Sequence, residues 1–157
     1  MPNFSIHQQN LCNLIDSDSF GSKKFFITKT DYFQDNRGDY LKYFEKHILK
    51  DFELDFKKKW KNSEIRFETI WYQVYGKNSF HDKHTHTKTN FTNVFYIQLP
   101  SNNMVSQLWD EDDKKINIKI KEGDIFTFPG FISHNSKINL SDKQKIVISF
   151  NFSLESI

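Results

Sequence analysis

The chain has 157 residues, which is the size of a single domain with a substantial core. Its 22 basic and 20 acidic residues give a formal net charge of only +2, so we expect neither a nucleic-acid partner nor binding to an anionic membrane. A single cysteine, Cys12, excludes a disulfide within the chain, and no signal peptide or transmembrane stretch is recognisable. We therefore expect one cytoplasmic domain over residues 1–157.

The first third of the chain is expected to provide a helical support. The opening stretch "NFSIHQQNL" is interpreted as a possible strand. Between residues 39 and 61, apolar side chains recur at steps of three and four residues, which predicts a helix with one apolar face. These side chains are Leu41, Phe44, Ile48, Phe52 and Phe56. We assign residues 1–62 to this N-terminal helical segment.

Residues 63–157 have the pattern of strands. Alternating or short apolar stretches are separated by Gly, Pro, Asn and Asp: "EIRFETIWYQVYG", "TNVFYIQLP", "MVSQLWD", "KINIKIKEGDIFTFPG" and "QKIVISFNFS". Aromatic residues make up 17% of the chain, which also favours β structure. The fold class predicted is α+β, mainly β, with a sandwich or barrel core.

Three of the six histidines fall within "HDKHTH", residues 81–86. In an extended chain His84 and His86 leave the same face and can share one metal ion. Imidazole suits Fe, Zn, Cu and Ni. The third ligand expected is His134, because it follows the strand-like stretch "DIFTFPG" and antiparallel pairing can bring it alongside. An isolated His-x-His is also common in proteins that bind no metal. His81 is interpreted as a residue at the rim of the pocket that would hold the metal.

Four stretches, in order, resemble the prolyl-hydroxylase-like members of the Fe(II)/2-oxoglutarate dioxygenases. "YGKNSFHDKHTH" is similar to their Y-G-x(7)-H-x-D element, and "TNVFYIQLP" to the core strand that follows. "GDIFTFPGFISHNSKIN" resembles the stretch with the distal histidine, and "KIVISFNF" the closing strand of small phage or bacterial members. The resemblance covers residues 71–152, about half of the chain.

This resemblance implies a double-stranded β-helix, the jelly-roll barrel of the superfamily, with Fe(II) bound by His84, His86 and His134. His86 stands where most members carry Asp, although small members often have His-x-His. Asp82, the nearby acid, is the less favoured alternative. The family binds the distal carboxylate of 2-oxoglutarate through an Arg on the last core strand, and Lys145 occupies that position here. Tyr75 and Tyr96 match tyrosines that hydrogen-bond the cosubstrate.

The implied activity is a 2-oxoglutarate- and Fe(II)-dependent hydroxylation of a protein, peptide or small molecule. Two other interpretations stay open: a three-histidine, cupin-like metalloenzyme that uses no 2-oxoglutarate, and a β-barrel binding protein without catalysis. The cupin pattern itself fails, because no Glu follows the His-x-His before residue 111. A homodimer is possible, and the substrate is not specified by the sequence.

Overall fold

The computed structural model describes Met1, residues 3–61 and residues 63–156. Three α-helices are present in this part of the chain: α1 (Phe4–Ser17), α2 (Asp39–Phe44) and α3 (Lys50–Lys59). The strands follow in the order β1 (Ser22–Lys24), β2 (Ile27–Thr30), β3 (Ser63–Tyr75), β4 (His81–His84), β5 (Phe91–Gln98), β6 (Gln107–Trp109), β7 (Lys115–Ile116), β8 (Ile125–Pro129), β9 (Ser133–Ser136) and β10 (Lys145–Ser156). A short 3₁₀ turn covers Asn102–Met104.

The strands form two sheets. The larger has the order β1-β2-β3-β10-β5-β8, and the smaller the order β4-β9-β6-β7. All the pairings are antiparallel, and β10 lies at the centre of the larger sheet between β3 and β5. Two antiparallel sheets with a helical N-terminal segment confirm the predicted α+β, mainly β fold class and its double-stranded β-helix architecture.

Alternation along the central strands separates two cores on the faces of the larger sheet. On one face Phe95, Ile148 and Phe150 pack against the helices, together with buried Leu11, Phe44 and Ile48. On the other face Val94, Tyr96 and Val147 pack toward the smaller sheet. Successive residues of one strand therefore serve different cores, as the two-residue period of a strand requires.

The helix predicted over residues 39–61 is present, but with a π turn at Glu45–Leu49 between α2 and α3. Phe44 and Ile48 are buried, and Leu41, Phe52 and Phe56 pack against the same core. The apolar periodicity thus identified the buried face correctly. A π turn inserts one extra residue, which keeps the helix together and rotates the face that follows it.

The strand expected in "NFSIHQQNL" is wrong, because residues 4–17 form α1. Leu11 and Ile15 of α1 are buried and Phe4 packs beside them, and this spacing of seven and four residues is helical. Residues 22–30 of the expected helical support are also not helical, because β1 and β2 extend the larger sheet. None of the helices in the described part of the chain is long and apolar enough to cross a membrane.

Candidate metal and cosubstrate site

Strand pairing brings His84 and His134 together. β4 pairs with β9, and in this register the Cα atoms of His84 and His134 are direct partners. The expected antiparallel approach is therefore present: His134 follows β8, as predicted, and itself lies in the short strand β9. The two ring centroids lie 4.2 Å apart, and the ring of Phe128 packs edge-on against His134 at 4.8 Å.

His86 lies just beyond the end of β4 and is held by the β8–β9 turn. Its backbone N–H donates to the carbonyl oxygen of Gly130 at 2.7 Å. A Cβ atom on Gly130 would lie 2.5 Å from the carbonyl oxygens of His86 and Thr89, so only glycine fits this approach. Trp71 stacks on the imidazole ring of His86, with centroids 5.9 Å apart.

The three imidazoles together form a group of metal-binding size. One nitrogen from each of His84, His86 and His134 lies within 4.8 Å of the others. Nδ1 of His84 lies 2.7 Å from the carbonyl oxygen of Asp82, and Nδ1 of His134 lies 3.2 Å from that of Ile132. A carbonyl oxygen only accepts, so both Nδ1 atoms carry the proton and Nε2 is the nitrogen free to bind a metal.

Burial keeps these rings neutral. Desolvation is the main cause that lowers the pKa of His134 to about 3 and that of His86 to about 4, with the neighbouring imidazoles adding to the effect. Desolvation also lowers the pKa of His84, while the carbonyl of Asp82 opposes it. Neutral imidazole is the form that binds a metal, so the group is ready for a cation at neutral pH.

His81 and Asp82 flank this group differently. β4 is irregular between His81 and His84, and the His81 ring stacks on that of His84 at 4.0 Å despite the odd spacing. His81 is half-buried and lines the same cavity as the three-histidine group, which is consistent with the rim position expected for it. Asp82 is exposed and lies outside the three-histidine group.

Lys145 is the most unusual charged residue of the site. It is 1% exposed, its Nζ donates to Ser136 Oγ at 2.9 Å, and it makes no ion pair with a described acidic residue. Its Nζ lies 5.2 Å from the ring centroid of Tyr75 and 5.9 Å from that of Tyr96. Desolvation, with a smaller effect from Lys137, lowers the pKa of Lys145 to about 7.

The rings of both tyrosines lie near Lys145 but in different surroundings. Tyr75 lines the cavity and lies beside Ser136, the residue to which Lys145 donates. Tyr96 is fully buried, and its hydroxyl accepts the backbone N–H of Ser106 at 3.1 Å. This hydroxyl still has its own proton to donate, but Tyr96 is not among the residues that line the cavity, in contrast to Tyr75.

One cavity of about 480 Å³ joins these elements. The three histidines, Tyr75 and Lys145 line it with buried or half-buried side chains, and Lys24, Phe25, Tyr32 and Phe33 line it with exposed ones, which form its rim. Phe25 is 75% exposed and Phe33 58%. These rim aromatics belong to the β1–β2 hairpin and the loop after it, which the sequence interpretation had assigned to helical support. The only indication of this rim in the sequence is the cluster of aromatic residues in "GSKKFFITKTDYF", residues 21–33.

Searches with this chain gave no match to a protein-family model and none to a curated protein. Solved structures do match. A prolyl-4-hydroxylase from Pseudomonas putida has a TM-score of 0.66 at 12% identity, over 98% of this chain and 88% of that chain. The viral collagen prolyl hydroxylase of Paramecium Bursaria Chlorella virus-1, in its 2-oxoglutarate complex, has a TM-score of 0.61 at 15% identity, over 97% of this chain and 92% of that chain.

Two further matches have the same fold. A Trichoplax adhaerens prolyl hydroxylase in complex with a hypoxia-inducible-factor peptide has a TM-score of 0.64 at 18% identity, over 96% of this chain and 78% of that chain. The non-heme, α-ketoglutarate-dependent epimerase SnoN, from nogalamycin biosynthesis, has a TM-score of 0.68 at 8% identity, over 95% of this chain and 71% of that chain. The chain therefore has the fold of the prolyl-hydroxylase-like 2-oxoglutarate/Fe(II) oxygenases, as its sequence resemblance predicted.

Proposed function

We propose that this protein is an Fe(II)- and 2-oxoglutarate-dependent oxygenase. The observation that carries the proposal is one cavity that contains both a neutral three-histidine group and a buried lysine that has no acidic partner among the described residues. The first group suits a divalent metal, and the second suits an anion. 2-Oxoglutarate has a chemical group for each of them: one end chelates a metal, and the carboxylate at the other end can pair with the lysine.

The metal site is proposed to consist of His84, His86 and His134. Three imidazole nitrogens on one side of a metal leave the other side open, as oxygen-activating non-heme iron sites require. Because all three ligands are neutral, the site retains the full charge of the cation and favours an anionic cosubstrate. Iron bound there would supply the oxidising chemistry with 2-oxoglutarate and oxygen, and the protein residues would hold and orient the reactants.

Lys145 is the proposed partner of the distal carboxylate of 2-oxoglutarate. A buried ammonium without a counter-ion is costly, and a carboxylate would remove most of that cost. Ser136 and Tyr75 lie beside it and offer further hydrogen bonds to the same oxygens. Lys supplies a point charge rather than the two-pronged contact of Arg, so the neighbouring hydroxyls contribute to the orientation of the carboxylate.

The substrate is proposed to enter at the aromatic rim. Phe25, Tyr32 and Phe33 line the cavity with exposed side chains, and Lys24 Nζ lies 4.8 Å from the ring centroid of Phe33. Aromatic rings with a nearby cation suit a peptide segment or a small molecule with an apolar body. Two of the structural neighbours are named for collagen and for a hypoxia-inducible-factor peptide, which supports a peptide as the first class to screen.

The proposal is tested by conversion of 2-oxoglutarate to succinate under oxygen, with and without a peptide library. We expect slow turnover that requires added Fe(II), increases with a suitable peptide and is lost in His134→Ala. Incorporation of labelled oxygen into the peptide would identify hydroxylation. Metal-dependent oxidation of a substrate without consumption of 2-oxoglutarate would favour the three-histidine metalloenzyme, and failure to bind any metal would favour a non-catalytic barrel.

A further inference from the structure

The third histidine of the group is held differently from the other two. His84 and His134 each use a backbone carbonyl to fix Nδ1, whereas Nδ1 of His86 faces the side-chain amide of Asn151 at 3.1 Å. Asn151 lies on β10, next to an irregularity in the β3–β10 pairing between Asn151 and Phe152. Such irregularities re-aim side chains, often beside active sites.

The orientation of this amide decides which nitrogen of His86 is free. It is the amide nitrogen of Asn151 that lies 3.1 Å from Nδ1 of His86. An N–H donor at that position would require Nδ1 to accept, and the neutral ring would then carry its proton on Nε2. Nε2 would have no lone pair for a metal, although the equivalent atoms of His84 and His134 are free.

The oxygen of the same amide is unsatisfied. Asn151 Oδ1 is buried and has no hydrogen-bond partner within the described residues, and a buried acceptor left unpaired costs roughly 1–3 kcal/mol. Half a turn of the amide about its last side-chain bond exchanges the two ends, which have nearly the same shape. Oδ1 would then accept the proton of His86 Nδ1, and Nε2 would be free like its two counterparts.

We infer that Asn151 is a positioning residue for the metal site: its amide oxygen accepts Nδ1–H of His86 and thereby presents Nε2 to the cation. The inference rests on the proposed function. Trp71 packs on the face of the His86 ring, and Asn151 contacts its edge. The orientation of the ring is therefore fixed although His86 lies outside a regular strand. Partners of this kind behind a ligand typically change metal affinity by roughly 10–100-fold.

The test is the tautomer of His86 in the metal-free protein, read from long-range proton–nitrogen NMR correlations at neutral pH. We expect Nδ1–H in the wild type and in Asn151→Asp, whose carboxylate also accepts. In Asn151→Leu, which has similar volume but no acceptor, His86 should lose that fixed tautomer. His84 and His134 provide internal controls, because backbone carbonyls fix their Nδ1–H in all variants. An Nε2–H ring in the wild type, or an unchanged ring in Asn151→Leu, would overturn the inference.

Zinc titration provides the second measurement. Zn(II) affinity should fall roughly 10–100-fold in Asn151→Leu and be retained in Asn151→Asp. Thr92→Val is the matched control, since Thr92 pairs directly with Asn151 in the neighbouring strand and also has a buried oxygen with no hydrogen-bond partner in the described part of the chain. It should leave the tautomer of His86 unchanged. If the wild type binds no metal, the proposed function fails, while the tautomer still decides the role of Asn151.

Discussion

Lys145 is the residue at which stability and the proposed function oppose each other. It is fully buried without an acidic partner in the described chain, so its charge opposes folding until an anion binds. Lys145→Met should therefore stabilise the ligand-free protein, by roughly 2–4 °C in melting temperature for each kcal/mol gained. The same variant should weaken 2-oxoglutarate binding at least tenfold and leave Fe(II) affinity unchanged.

Separate titrations of Fe(II) and of 2-oxoglutarate measure these effects, and Lys143→Met is a control. Lys143 is half-exposed and pairs with Glu122 at 3.4 Å, so its loss should change neither affinity. Equal 2-oxoglutarate affinity in wild type and Lys145→Met would remove Lys145 from the cosubstrate site.

The pH dependence of stability provides an independent check on the burial of Lys145. Its pKa falls from 10.5 to about 7 on folding, so between these values the unfolded chain binds more protons than the folded one. The free energy of unfolding contributed by this group therefore rises with pH from about 7 to 10.5. Urea titrations of wild type and Lys145→Met should give a difference that shrinks over this range. A constant difference would mean that folding leaves the pKa of Lys145 unchanged.

At the scale of elements, the β8–β9 turn positions His86. Gly130 accepts the N–H of His86, and its own N–H donates to the carbonyl of Asn90 at 2.9 Å. In Gly130→Ala the new methyl group would collide with backbone oxygens, which cannot move without shifting the segment that carries His86. We expect a loss of about 1–3 kcal/mol in stability and weaker metal binding.

Isothermal titration with Zn(II) and urea unfolding measure both effects of Gly130→Ala. Phe131→Ala is the matched control from the same turn, because Phe131 is 65% exposed. It should leave metal affinity unchanged. A Gly130→Ala protein that binds metal normally would show that the turn does not position His86.

At the scale of the whole molecule, helices and sheet share one core. Phe44 of α2 is fully buried against Phe95 and Phe150 of the larger sheet, with ring centroids 5.9 and 5.7 Å apart. Phe44→Ala should cost about 3–5 kcal/mol. We expect helix signal and tryptophan fluorescence to report one common unfolding transition in wild type and variant, as a single domain over residues 1–157 predicts. Two separate transitions would show that the helical segment and the barrel fold independently.

Sequence patterns captured the long elements better than the short ones. β3, β5 and β10 span 13, 8 and 12 residues, and their apolar alternation or runs were visible. β4 and β9 have four residues each and are polar, "HDKH" and "SHNS", so tertiary pairing rather than propensity makes them strands. α1 was missed because Phe4, Leu11 and Ile15 are few and widely spaced on its buried face.

The candidate site was predictable where the proposed metal ligands lie in short motifs. The grouping of His84, His86 and His134 and the choice of Lys145 as a candidate site residue followed from ordered motifs and their resemblance to a family. Asn151 was not identified, because its approach to His86 joins residues 65 apart in the chain. The aromatic rim was also missed, since its hairpin has no marked periodicity in sequence.

The most direct test of the account is an anaerobic titration of Fe(II) into metal-free protein, with and without 2-oxoglutarate, followed by visible absorption. The account predicts a weak charge-transfer band that needs both components, disappears in His84→Ala and His134→Ala, and requires much more 2-oxoglutarate in Lys145→Met. Iron binding that 2-oxoglutarate does not change, or no iron binding at all, would contradict the proposed function.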